Sequence, residues 1–103
     1  MSKKQSKAYR AWEQACFDDY YDFRNHLILD PLYEQFQLWK AGQLHHDDIN
    51  LAIHKVHKDN QDIYTLFTRS QADLFTIIQF TDWYKDWVKN HPMPVESGAF
   101  DDA

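Results

Sequence analysis

Six histidines stand among 103 residues, and four of them, His45, His46, His54 and His57, fall within thirteen positions. Imidazole is a common transition-metal ligand, and His54 and His57, three apart, are close enough on a helix to chelate one ion. At about 100° per residue, His57 falls at the edge of the local apolar stripe and His54 toward solvent, which splits the pair. The acidic residues of a di-iron bundle are missing: Glu13, Glu34 and Glu96 are the only glutamates, and none sits in a Glu-x-x-His motif. No cofactor is expected, a transition metal on His54 and His57 being the one exception the residue types allow.

A second group, Asp19, Asp22 and His26, is spaced to lie along one helix flank, where a carboxylate can orient or polarise an imidazole for general-base work. Exposed ion pairs use the same spacing and contribute only a few tenths of a kcal/mol. Asn60 falls within the apolar stripe of its segment, where a buried amide either fixes helix register or lines a polar pocket. Cys16, the one cysteine, lies mid-stripe and reads as a small hydrophobe rather than a nucleophile. Gly-rich phosphate loops, GxSxG and CxxC are absent.

Seven Phe, six Tyr and four Trp are a large aromatic load for a chain of this length. Phe17 and Tyr21 are expected on the far side of the first helix, and Phe75, Trp83 and Trp87 at the rim of the last. Exposed aromatic clusters mark interfaces, so these five are the expected anchors of a contact surface.

Helices must position all of these residues. Two glycines and three prolines are too few for an all-β domain, which turns every 8–12 residues or so. Tyr9, Trp12, Cys16, Tyr20, Phe23 and Leu27 predict a first helix from about Ser6 to Leu29. Asp30-Pro31 is expected to end it, with Asp30 as N-cap of a second helix running through Lys40 and burying Leu32, Tyr33, Phe36 and Trp39. Gly42 suits the left-handed position after its end.

A third helix begins near His46 or Asp47, with Ile49, Ile53, Val56, Asn60, Ile63 and Phe67 as its stripe. Ser70 and Asp73 resemble a capping box, so a kink or short break is expected there, with one continuous helix as the alternative, and the last helix carries Leu74, Ile77, Ile78, Phe80, Tyr84, Trp87 and Val88. The fold expected is all-α: a compact antiparallel bundle of about four helices over residues 1–91, with an acidic, flexible tail at 92–103.

A net charge of −5 gives no general attraction to nucleic acid or anionic lipid, and no apolar run approaches membrane-span length. The basic Met1–Lys7 is not followed by the apolar stretch of a signal peptide, and a single cysteine suits a reducing compartment, so a cytoplasmic location is expected. The expected function is a helical protein-interaction module that self-associates, or docks on another protein, through aromatic faces. The alternative is a ligand- or metal-binding bundle in which His54, His57, His26, Asp19 and Asn60 converge. A small enzyme built on an Asp-His pair ranks last, since no nucleophile or cofactor motif accompanies it.

Overall fold

A computed structural model describes residues 6–94 as all-α, with α1 at Lys7–Lys40, α2 at His46–Phe67, α3 at Gln71–Gln79 and α4 at Asp82–Asn90. Of the tail expected at 92–103, residues 95–103 lie outside the described residues. Two compact units divide the rest: residues 6–20 with 71–94 form one, and residues 21–70 the other.

Four helices are present among the described residues, but their boundaries differ from those expected. The break expected at Asp30-Pro31 is absent, and α1 runs on for 34 residues with Pro31 inside it. Asp30 is therefore not an N-cap; its carboxylate accepts a hydrogen bond from His26 Nδ1 one turn back, at 3.0 Å. Proline removes one backbone hydrogen bond and crowds the preceding turn, a cost of about 3 kcal/mol that flanking helical turns can outweigh. α1 ends at Lys40, where the second helix is expected to end, and Gly42, with a φ of +78°, closes a Schellman turn just past it. Gln43 N–H donates to Leu38 O at 2.8 Å and Gly42 N–H to Trp39 O at 3.0 Å, satisfying two of the carbonyls a helix end leaves open.

α3 starts directly after Ser70, where a break is expected. A second break, at Thr81, divides the last helix in two. The Thr81 hydroxyl donates to Ile78 O at the end of α3 and accepts from Tyr84 N–H at the start of α4, so a single side chain caps both ends of the bend.

In the unit of residues 6–20 and 71–94, Trp12, Cys16, Phe17, Tyr20, Leu74, Phe75, Ile78 and Trp87 are all buried. The rings meet edge to face or tilted: Trp12 lies 5.5 Å from Phe75, Phe17 6.1 Å from Phe75, and Tyr20 5.0 Å from Trp83. Each such pair contributes about 0.5–1.5 kcal/mol beyond the area it buries. Both buried indole N–H groups are satisfied, Trp12 donating to His91 O at 2.7 Å and Trp87 to Asp19 Oδ2 at 2.8 Å.

Residues 21–70 form a two-helix hairpin. Tyr21 meets Phe67 edge to face at 5.0 Å near the open end, and Trp39 meets His46 at the turn, where its indole N–H donates to His46 Nδ1 at 2.8 Å. α2 is capped by His45, whose side chain accepts from Asp47 N–H. Its inward line is Ile49, Ala52, Val56, Asp59, Ile63 and Leu66, so Ile53 and Asn60, expected in the stripe, are exposed. The two lines share Ile49, Val56 and Ile63 and differ by one position between them, a small rotation of the helix about its axis. In the second half of α1, Leu32 is half-buried while Tyr33, Phe36 and Trp39 stay exposed, because a hairpin offers each helix only one neighbour.

Candidate interaction surface

Most of the exposed large apolar side chains among the described residues belong to the hairpin. Twelve large apolar side chains stay exposed among the described residues, and ten lie between Tyr21 and Ser70, Phe80 and Met93 being the others. Only two large apolar side chains of the hairpin, Ile49 and Ile63, are buried. Between its helices runs an apolar groove of about 440 Å3, lined by Leu27, Ile28 and Leu32 from α1 and by Leu51, Ala52 and Val56 from α2. Leu27 is 57% exposed and Leu51 68% exposed, so both offer their side chains to whatever enters.

The charged groups lining this groove, Asp48, Lys55 and Asp59, all come from α2. Asp48 sits in the first turn, where the helix dipole favours a carboxylate. Lys55 Nζ lies 2.8 Å from Asp59 Oδ2, one turn on. A second groove, of about 460 Å3, opens at the far end of the hairpin between Tyr21, Asn25, Asn60, Ile63, Tyr64 and Phe67.

Of the five aromatic residues expected as anchors, Phe17, Phe75 and Trp87 are core residues. The expectation that Phe17 lies on the far side of the first helix, and Phe75 and Trp87 at a rim, is corrected here: α1, α3 and α4 bring three apolar faces together, and these rings fill the space between them. Trp83 is half-buried against Tyr20 and stacked on Trp87. Tyr21 is half exposed, at 50%.

The polar candidates do not assemble into one site. Asp19 is the acceptor for Trp87, whereas His26 is bracketed by Asp30 and by Asp22, 3.6 Å from its Nε2. The hydrogen bond and charge of Asp30, with the charge of Asp22, raise the His26 pKa above its ordinary 6.5. His54 and His57 are both exposed, and His57 meets the Gln61 amide at 3.3 Å. Among the described residues, no three His, Cys, Asp or Glu side chains gather closely enough to hold a metal ion. Asn60, rather than being packed in a core, stands at the edge of the second groove.

A thiol and a carboxyl group are buried with the aromatic core. Cys16 is fully buried, and desolvation, reinforced by the charges of Asp19 and Glu13, pushes its thiol up to about 12. It is held as the thiol, the weak nucleophile of the pair. Glu13 is 9% exposed, and burial raises its carboxyl pKa. No helix among the described residues is long and apolar enough to cross a membrane.

Sequence reasoning missed Leu51, Asp48 and Lys55 as surface-forming residues. Leu51 carried a signal, being a leucine outside both possible apolar lines of its helix. No protein-family model, no curated protein and no solved structure matches the chain.

Proposed function

We propose that this chain is a small helical protein-interaction module that self-associates through the apolar face of the α1–α2 hairpin. One observation supports this above all: among the described residues, ten of the twelve exposed large apolar side chains belong to this one unit, and two of them, Leu27 and Leu51, stand on opposite walls of its open groove. Contiguous exposed apolar surface is characteristic of protein-protein contacts, and its removal from water drives association. The function expected from the aromatic content is kept, while its surface moves from Phe17, Phe75 and Trp87 to Leu27, Leu51 and their neighbours. We place the protein in the cytoplasm, where a thiol such as Cys16 stays reduced.

The test is sedimentation equilibrium of the untagged protein over a wide concentration range, with Leu51→Asp beside it. Self-association in the wild type and its loss in a fully helical Leu51→Asp chain is the expected result. A wild-type chain that stays monomeric throughout overturns the reading.

A further inference from the structure

Building on the proposed self-association, we infer that the occupant of the α1–α2 groove is a second copy of this chain, placed by a two-fold axis that crosses α2 between Leu51 and Ala52. From α2 the groove is lined by Asp48, Leu51, Ala52, Lys55, Val56 and Asp59, and the first four fall within a strip spanning about 100° of the helix circumference at 100° per residue. Asp48 and Lys55 are seven residues apart, two turns or about 10.5 Å along the axis, and their midpoint falls between Leu51 and Ala52. A two-fold axis at that midpoint, with the two copies of α2 antiparallel, sets Asp48 of each copy opposite Lys55 of the other. It also sets each Leu51 against the small Ala52 of the second copy, a knob facing the space it needs.

The same relation recurs at the strip's outer edge. Asp47 and Lys58, both exposed, have a midpoint one residue away, so the antiparallel pairing also brings them toward opposite charges. A parallel arrangement does the reverse, placing Asp48 on Asp48 and Lys55 on Lys55, and like charges face to face suppress that alternative. The pattern is self-complementary, as an isologous interface requires, since the same patch must serve both partners. Lys55, already beside Asp59 of its own chain, keeps an exposed side chain with which to reach a second carboxylate.

Complementary charge reversal tests this arrangement. In Asp48→Lys, each copy carries lysine at both positions; in Lys55→Glu, each carries acid at both. Either variant alone therefore sets two repulsive pairs across the two-fold, and its dissociation constant is expected to rise roughly tenfold or more. Mixed one to one, the two variants regain both opposite-charge pairs, so a heterodimer of near wild-type affinity should form, and it should weaken with added salt. Sedimentation of each variant and of the mixture reads this, with circular dichroism confirming that both remain helical.

Restored heterodimers from two weakened parents support the inference. Parents that associate like the wild type, or a mixture that restores nothing, overturn the two-fold register while leaving self-association standing. A wild-type chain that never associates removes the proposed function, and this inference with it.

Discussion

Asp19→Ala should destabilise the aromatic unit through one hydrogen bond. Trp87 is 7% exposed, and its indole N–H donates to Asp19 Oδ2 at 2.8 Å, a charge-assisted bond. Without the carboxylate, a nearly buried donor loses its partner. Such a loss costs about 1–3 kcal/mol, and the lower half applies here because the Asp19 side of the bond is exposed. A loss of about 1–2 kcal/mol lowers Tm by roughly 5–10 °C for a chain of this size.

Asp19→Asn keeps an acceptor oxygen without its charge and should fall between the two. Trp87→Phe removes the donor, so a double-mutant cycle of Asp19→Ala with Trp87→Phe should show coupling of about 1 kcal/mol. Urea unfolding, followed by circular dichroism and by tryptophan fluorescence in a Trp39→Phe background, measures it, since the remaining indoles, Trp12, Trp83 and Trp87, all belong to this unit. The Cys16 titration gives a separate readout: Asp19 helps raise that thiol to about 12, so both Asp19 variants should lower its pKa. An Asp19→Ala chain that unfolds at the wild-type midpoint, or strictly additive single variants, refutes the reasoning.

Three further outcomes follow from the hairpin. The folded His26 pKa lies above its ordinary 6.5, so its stabilisation is complete below that value and lost as pH rises through the folded pKa; Asp30→Asn should lower the pKa seen by NMR titration and flatten this dependence. Pro31→Ala should raise the unfolding free energy by about 1–3 kcal/mol, seen as a higher urea midpoint, because it restores a donor and relieves crowding inside a continuous α1; an unchanged or lowered midpoint would mean that the helix ends there. Gly42→Ala should cost about 1–2 kcal/mol in the same assay, a purely dihedral penalty, since an added Cβ meets nothing within 4 Å.

The elements that were legible in the sequence rest on local chemistry. Gly42 announced a helix end because few other residues tolerate a φ of +78°, and Ser70 marked the start of α3. The continuity of α1 was hidden because the pre-proline restriction is a preference of a few kcal/mol, which the turns on either side of Pro31 outweigh. Thr81 was legible in principle, as a threonine directly before Asp82, but the apolar pattern running from Leu74 to Val88 obscured it. Asn60 was misplaced because two heptad lines fit α2 equally well in apolar content. What separates them is Ala52 against Ile53, Asp59 against Asn60 and Leu66 against Phe67, and the line that turns inward carries the smaller apolar side chains and the charged residue. Periodicity finds the face of a helix to within a residue, and that residue decided whether Asn60 was core or groove edge.

The same limit explains why the aromatic count singles out Phe17, Phe75 and Trp87, which the structure buries. Counting rings against chain length treats the chain as one core, but the rings are unevenly divided. Trp12, Phe17, Tyr20, Phe75 and Trp87 bury one another where three helical segments meet, with both buried indole N–H groups satisfied. The hairpin of residues 21–70 has two helices and only Ile49 and Ile63 as large buried apolar side chains. A hairpin can cover only one side of each helix, so Leu27 and Leu51 remain in water however well the turn at Gly42 is made. Leu51→Asp and Trp87→Ala should therefore separate the two roles: the first should abolish association with the fold intact, and the second should unfold its own unit by removing a buried aromatic worth about 3–5 kcal/mol.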